Sequence, residues 1–478
     1  LLTPHLLGGG LLSAAPLPSA IRRQEVLSCA KSGVRSRPRV LLIAEGCNPE
    51  MTSVPLEGYS HSEAIRQFAD ALVLTHWRNG EDLQRVGWVE GKDFELINTE
   101  RSARVMWDIA TFLRGGHGKG WTTLTALSTP LYYLFEHIIW KNYRARLMAG
   151  EFDLVHRLIP LSPTTPSLLA SQCKRIGMPF VVGPLNGGVA WPKGFDAHRR
   201  REKEWLSYFR SAYKLLPGYR SMRASASAIL VGSRDTMKQM PRSCQDRCFY
   251  VPENAIDPHR FTDATLDRPP TGQNGKPIQI IFVGRLVPYK GADMLIEAAA
   301  PLLREGKIEV TIIGEGPQRP TLEALVQQLQ VAGKVHLRGW VDHRQVHQCL
   351  SEADILGFPS IREFGGAVVL EAMAVGVVPI VVDYGGPAEL VTPSTGYLLP
   401  LGSREQIVAD LRRCLQQIVA QPQEIDARRS PAKRRARQQF TWENKAKLVM
   451  EVYQWVLGQT AQKPQIPMPL PDLPSEAA

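Results

Sequence analysis

Cysteine is scarce: seven residues in 478, scattered as Cys29, Cys47, Cys173, Cys244, Cys248, Cys349 and Cys414. An odd and dispersed set argues against a disulfide framework and for a reducing compartment. Only Cys244 and Cys248 lie close, and their CxxxC spacing has no second ligand pair nearby, so no metal site is expected. Long apolar runs are missing too. The longest, Ala367 to Val382, is interrupted by Glu371 and Pro379, as in a buried helix followed by a buried strand, and no stretch reads as a membrane span. There is no internal repeat. Charge is present but not extreme, at 22% of residues, with a net charge of +11 and a pI near 9.3. That balance suits anionic partners, whether nucleic acid, membrane or phosphorylated substrate, and does not choose among them.

At this length the chain holds two full α/β domains with separate cores. Residues 1–38, with Gly8-Gly9-Gly10, Pro16 and Pro18, read as a disordered extension. They begin with Leu, which leaves a truncated start open, and Arg22 and Arg23 follow the apolar stretch where a signal peptide would want them before it. A first domain is expected over 39–260. It opens with a strand at Arg39 to Ala44, a long loop containing Gly46, Pro49, Pro55 and Gly58, and a helix from Ser62 to Trp77 with Ile65, Phe68, Ala69, Leu72 and Val73 facing inward. Asp153 to Val155, Pro179 to Val182 and Ile229 to Gly232 read as further strands. A Pro/Gly/Thr-rich linker over 261–276 leads to a second domain over 277–437, followed by a helix over 438–458 and a flexible Pro-rich tail over 459–478.

The most informative segment is Glu363-Phe-Gly-Gly-Ala-Val-Val-Leu-Glu371, two carboxylates eight positions apart around a glycine pair. Asp354 to Pro359 reads as a buried strand, Ser360 to Phe364 as a loop and Ala367 to Val375 as a helix. The amides near Gly365, Gly366 and Ala367 would then be free at a helix N-terminus, which attracts a diphosphate. Glycine lets a phosphate approach the backbone, Glu371 is placed to accept from ribose hydroxyls, and Glu363 and Phe364 lie on the sugar side. The bland alternative is a strand, loop and helix with solvated glutamates. A second segment tips the balance. Ile278 to Val283 reads as a strand, Ala292 to Leu303 as a helix, and between them Gly284-Arg-Leu-Val-Pro-Tyr-Lys-Gly291 brings Arg285 and Lys290, two cations suited to a departing diphosphate.

With these motifs, and with Val310-Thr-Ile-Ile-Gly-Glu-Gly-Pro317, Gly385-Gly-Pro-Ala-Glu-Leu390 and Val251-Pro-Glu-Asn-Ala-Ile-Asp257, the chain resembles glycosyltransferase family 4, the retaining "group 1" nucleotide-sugar transferases. The resemblance implies the GT-B fold: two facing Rossmann-like parallel-sheet domains, with a C-terminal helix crossing back to the first. It implies transfer of a glycosyl group from a nucleoside diphosphate sugar to an acceptor hydroxyl by front-face substitution. Arg285, Lys290 and the helix start at Gly365 would stabilise the departing diphosphate. No cofactor and no divalent metal are expected, because fixed cations take the metal's part. A metal-dependent fold would want an Asp-x-Asp pair ending a strand, and the nearest candidate, Glu151-Phe152-Asp153, precedes one. In related enzymes a His after an Asp-containing strand faces the reacting sugar. Here Asp153-Leu-Val-His156-Arg157 supplies His156 with Leu158 where many relatives carry a second His, so a catalytic and a structural His156 are both open.

Two glycine loops are candidates for the acceptor side: Gly58-Tyr59-Ser60-His61 and Gly183-Pro-Leu-Asn186-Gly187-Gly188. Either could equally be a tight turn. From Trp191 to Arg223, nine basic residues stand against three acidic ones, with Trp205, Tyr208, Phe209 and Tyr213 interleaved. That composition suits an anionic lipid surface, and hence a lipid-linked acceptor in cell-envelope or exopolysaccharide synthesis; a basic solvated helix face is the plain alternative. Location is expected to be cytoplasmic, peripheral on the inner face of the membrane. The rivals are a noncatalytic nucleotide-sugar or anionic-polymer binder on the same scaffold and a nucleotide-sugar epimerase or phosphorylase. A nucleic-acid binder is disfavoured because the basic charge is spread over paired α/β domains.

Overall fold

The computed structural model of the chain describes residues 37–99, 121–187, 212–260, 271–272 and 275–473. Among them, thirteen strands form two sheets in which every pair is parallel. The first contains β1 (Arg39–Ala44), β2 (Asp70–His76), β3 (Phe94–Ile97), β4 (Leu154–Ile159), β5 (Phe180–Leu185), β6 (Ala228–Val231) and β7 (Cys248–Tyr250), in the order β3-β2-β1-β4-β5-β6-β7. The second contains β8 (Ile278–Val283), β9 (Ile308–Ile313), β10 (Val335–Gly339), β11 (Ile355–Phe358), β12 (Val378–Val382) and β13 (Tyr397–Leu399), in the order β10-β9-β8-β11-β12-β13. The strands at the middle are buried, β12 as an apolar run and β4 with His156 and Arg157 among its apolar residues, because helices cover both faces of each sheet. In both sheets the winding reverses beside the first strand, between β1 and β4 and between β8 and β11. A doubly wound sheet opens its crevice at the carboxyl ends of those strands.

The second sheet builds one continuous core, whereas the two faces of the first sheet build separate ones. The core on one of those faces includes Ala446, Val449, Val452 and Tyr453. These belong to the last helix, Trp442–Val456, which therefore crosses from the second domain to the first, as the resemblance implied. The crossing is itself hydrogen-bonded. Ile256 N donates to Phe440 O at 2.8 Å and Trp442 N to Ile256 O at 3.2 Å, so the outgoing and returning chain segments pair as a short parallel ribbon.

Several expectations need correction. No helix runs from Ser62 to Trp77. The helix spans Val54–Arg66, with Pro55 in its first turn, and Asp70–His76 is strand β2. The Arg37 guanidinium ends the helix by donating to the carbonyls of Arg66, Gln67 and Ala69, a cation on the negative pole of the helix. The seven residues that follow are then short and apolar enough to join the sheet beside β1. Consequently Gly58 and His61 sit inside a helix, not in a glycine loop. Gly183, Pro184 and Leu185 likewise end strand β5, and only Asn186 and Gly187 follow as loop. Lys433, Arg434 and Arg435 lie within the helix Gln423–Gln439, where Arg435 is buried.

The segment 459–473 is laid down across both domains. Ile466 packs on the first-domain core and Lys463 Nζ lies 4.7 Å from the centroid of the Phe249 ring, while Leu470 packs on the second-domain core. Arg435 donates to Leu470 O at 2.8 Å and Pro471 O at 2.9 Å, and Ser394 Oγ to Asp472 Oδ2 at 2.9 Å. Residues 1–36 of the expected extension, most of the linker 261–276 and most of the basic stretch 191–223 lie outside the described residues.

Gly58 is required by space. A Cβ there would stand 2.0 Å from Gly46 O, a backbone atom of the loop after β1. Gly58→Ala is expected to destabilise the protein by roughly 1–3 kcal/mol, the usual cost of overpacking. Thermal unfolding monitored by circular dichroism checks this; an unchanged melting temperature would show that the loop yields freely.

Candidate active site

The two switch points face one another across a cleft of about 1140 Å³. On its first-domain wall stand Glu45 and Gly46, directly after β1, and Ile159 and Pro160 at the end of β4. The opposite wall is the segment after β11: Glu363, Phe364, Gly365, Gly366, Ala367 and Glu371. Asn186, Gly187, Glu253 and Asn254 line it between the two.

The glycine pair works as the sequence suggested. Gly366 has φ 77°, a left-handed conformation that turns the loop into the helix Ala367–Ala374. A Cβ on Gly365 would collide with the Asn254 amide, so the loop can lie this close to the first domain only as glycine. The first amides of the helix have no intrahelical acceptors and point their partial positive charge towards the cleft. Glu371, one turn inside the helix, lines the same wall.

Lys290 is brought to this loop and Arg285 is not. The Lys290 ammonium is hydrogen-bonded to the Glu363 carboxylate, and both side chains are only 17% exposed. Burial pulls Lys290 down to about 8. Neither cation is among the residues that line the cleft: Arg285 is exposed, and Lys290 touches it through Glu363.

Asn186 ties the walls together. Its Nδ2 donates to Phe364 O at 3.0 Å and to the Glu253 carboxylate, while its Oδ1 accepts from Gly187 N at 2.9 Å and Ser233 Oγ at 2.8 Å. A second tie lies beside it, where Glu389 Oε1 accepts from Arg234 N at 2.7 Å. Behind Asn186 lies a buried charge cluster that sequence reasoning missed. Lys445, 2% exposed, donates to Glu57 Oε1 at 3.3 Å and to Glu253 O. Burial pushes the Glu57 carboxyl up to about 8 against the pull of Lys445, and burial raises Glu253 as well. One signal was available: Lys445 stands on the stripe of Ala446, Val449, Val452 and Tyr453, an apolar face on which a lone cation needs a buried partner.

The two histidines are part of the packing. His156 is fully buried and does not line the cleft. Its Nε2–H donates to Gly183 O at 2.8 Å, which leaves Nδ1 to accept from Tyr453 Oη at 2.5 Å. This geometry favours the structural alternative, with His156 clamping the last helix onto the sheet. Burial takes its pKa down to about 3, the bond to Gly183 opposing. His61 is also buried, its ring 6.1 Å from Trp442, and burial holds it well below the usual histidine range.

Comparison with known proteins agrees with this geometry. Residues 263–434 match the family described as glycosyl transferases group 1. The chain is 26% identical over 271 residues to a putative colanic acid biosynthesis glycosyltransferase, WcaL, of Salmonella typhimurium, covering 51% of this chain and 64% of that protein. It is 31% identical over 255 residues to an uncharacterized glycosyltransferase of Methanocaldococcus jannaschii, covering 51% and 61%. The chain thus spans under two thirds of the length of these curated relatives. The crystal structure of Anabaena HepE in complex with UDP superposes with a TM-score of 0.55 at 15% identity, over 87% of this chain and all of that one, which shows the fold.

His156→Gln should lower the melting temperature at pH 7. Folded His156 stays neutral well below the pH at which the unfolded side chain protonates, so the wild type loses stability as pH falls from about 6.5 towards 3. The gap between wild type and variant should therefore shrink in acid. Melting curves from pH 7 to pH 4 check this, and a gap that widens would contradict the buried, neutral assignment.

Proposed function

From the premise that this chain belongs to the glycosyl transferases group 1 family on a GT-B fold, we propose that it transfers a sugar from a nucleoside diphosphate donor to an acceptor hydroxyl with retention at the anomeric carbon. The observation that carries this reading is the cleft between the two switch points, with the glycine turn and helix start of residues 363–371 on one wall and a distinct set of polar groups on the other.

Donor diphosphate fits the helix start at Ala367, where unpaired amides replace bulk water and cost no reorganisation during reaction. Lys290 supplies the point charge as the anomeric carbon–oxygen bond breaks and negative charge grows on the leaving phosphate. Glu363 holds Lys290 in place and is set to accept from hydroxyls of the donor sugar; Glu371 is set to accept from the ribose. The acceptor hydroxyl attacks the anomeric carbon from the face of the departing phosphate, whose oxygen takes the proton. Closing the cleft removes water, which would otherwise consume the donor. Charge compensation is assigned to Lys290, held at the cleft by Glu363, with Arg285 on the same loop and the helix start, and His156 is left to its structural role. With a fixed cation in place, turnover is expected to proceed without divalent metal.

An acceptor in envelope or extracellular polysaccharide assembly is supported by the curated relative named for colanic acid biosynthesis. Contact with an anionic membrane surface is supported by the basic, aromatic composition of 191–223. No helix among the described residues is long and apolar enough to cross a membrane.

The test is nucleotide release from a panel of nucleoside diphosphate sugars, with and without a membrane lipid extract. Release from one donor is expected, with Lys290→Ala and Glu363→Ala each slower by about a hundredfold or more. Binding of every donor without turnover would favour the noncatalytic reading. A chelator should leave the rate unchanged; loss of activity restored by added metal would overturn the charge-compensation argument.

A further inference from the structure

The loop from Ser360 to Gly366 has no regular secondary structure, and it ends in two adjacent glycines. Such a backbone has many conformations open to it, so the one that presents the helix start to the cleft has to be selected by partners. From the second domain the loop is held at Ile361, whose N donates to Tyr289 O at 2.9 Å, and at Glu363, whose O accepts from Gly386 N at 3.2 Å. Gly385 and Gly386 close against it, since a Cβ on either would collide with the carbonyl oxygen of Glu363 or Phe364. The residue immediately before the glycine pair is gripped from the other domain. Asn186 Nδ2 donates to Phe364 O at 3.0 Å.

Asn186 is itself fixed. It is 4% exposed, and its Oδ1 accepts from Gly187 N at 2.9 Å, Ser233 Oγ at 2.8 Å and Thr236 Oγ1 at 3.2 Å. Gly187 N can only donate and Phe364 O can only accept, so the amide has one orientation, with Nδ2 turned to the second domain. The Glu253 carboxylate accepts from the same Nδ2. Ser233 also caps the helix Arg234–Gln239, whose first amide, Arg234 N, donates to Glu389 Oε1 at 2.7 Å. Glu389 belongs to the short helix Pro387–Leu390 that follows the Gly385–Gly386 pair. One locus of the first domain thus grips both second-domain segments that shape the donor wall.

We propose that Asn186 is a positioning residue of the donor site: from the first domain it fixes the Phe364 carbonyl, and with it the glycine turn whose amides receive the diphosphate. Asn186, expected from the sequence on the acceptor side, thereby serves the donor wall. The inference rests on the transferase reading of the cleft and adds to it how the donor loop is held ready. Without the tie, the loop has to be ordered as the donor binds, and part of the binding free energy is spent on that ordering.

The experiment compares the full chain with Asn186→Ala, Asn186→Asp and Asp153→Ala. Both Asn186 variants lack the amide that donates to Phe364 O. The aspartate keeps an oxygen for Gly187, Ser233 and Thr236, so an effect common to both belongs to the lost donor. Asp153 accepts from Arg39 N at 2.7 Å and Arg39 Nη2 at 2.6 Å at the amino ends of β1 and β4, away from the cleft, and its variant reads lost stability alone. Backbone hydrogen exchange without ligand should be several-fold faster over 361–371 in both Asn186 variants and unchanged there in Asp153→Ala. UDP, GDP and ADP are then titrated by isothermal calorimetry. The nucleotide that wild type binds most tightly should bind Asn186→Ala about tenfold more weakly and Asp153→Ala equally well. Exchange over 361–371 that ignores both Asn186 substitutions would overturn the proposal, as would nucleotide affinity that Asn186→Ala leaves unchanged. The same losses in Asp153→Ala would also overturn it, by marking them as an effect of stability. No binding of any of the three nucleotides to wild type would remove the transferase reading and the donor role with it, whereas bound nucleotide with unmoved exchange removes this proposal alone.

Discussion

The Lys445 ammonium is the group on which the arrangement of this molecule turns. It is carried by the last helix, which leaves the second domain and packs on the first, and it ends between the Glu57 carboxyl and the Glu253 carbonyl. A buried cation without partners would be expelled or deprotonated, and two buried carboxyls without a cation would be held neutral. Each makes the others tolerable. Glu57 belongs to the first helix and Glu253 to the stretch leaving β7. One charge therefore fixes the helix that crosses between domains, the helix beside β1 and the segment that enters the cleft. The His156–Tyr453 bond pins the same crossing helix two turns further on, in a fully dry setting.

This inner framework leaves the cleft walls free to differ in chemistry. The second-domain wall presents backbone amides, arranged by glycines that allow no Cβ, with the Glu363 and Glu371 side chains. The first-domain wall presents carboxyls, Arg78, Arg260 and apolar area. Asn186 joins them by giving its amide hydrogens to one residue from each side, Glu253 and Phe364 O.

How much of this was legible in the sequence follows from the range of each interaction. The strand and loop segments around residues 278–291 and 355–366, and the helices that follow them, were readable because apolar runs, glycines and helix formers there act within a few residues. The helix assigned to Ser62–Trp77 failed because Leu72 and Val73 fit a helical stripe as well as a strand, and the choice was made by β1 lying alongside and by Arg37 closing the preceding helix. Gly58 looked like a loop residue, yet it is glycine because another chain segment passes against it. The role of His156 depended on Tyr453, 297 residues away, and no local pattern carries such a pairing. Arg285 and Lys290 share one loop, but only Lys290 meets Glu363.

The segment 459–473 gives the molecule a mechanical property. The chain passes between the domains three times: outward near Ile256, back at Thr441, and outward again between Ile466 and Leu470. The first two passages are zipped to each other and behave as one flexible leaf. The third is anchored apart from them, on Phe249 at one end and Arg435 at the other. With the Asn186–Phe364 and Arg234–Glu389 bonds, the two domains are thus held together at more points than the paired passage alone.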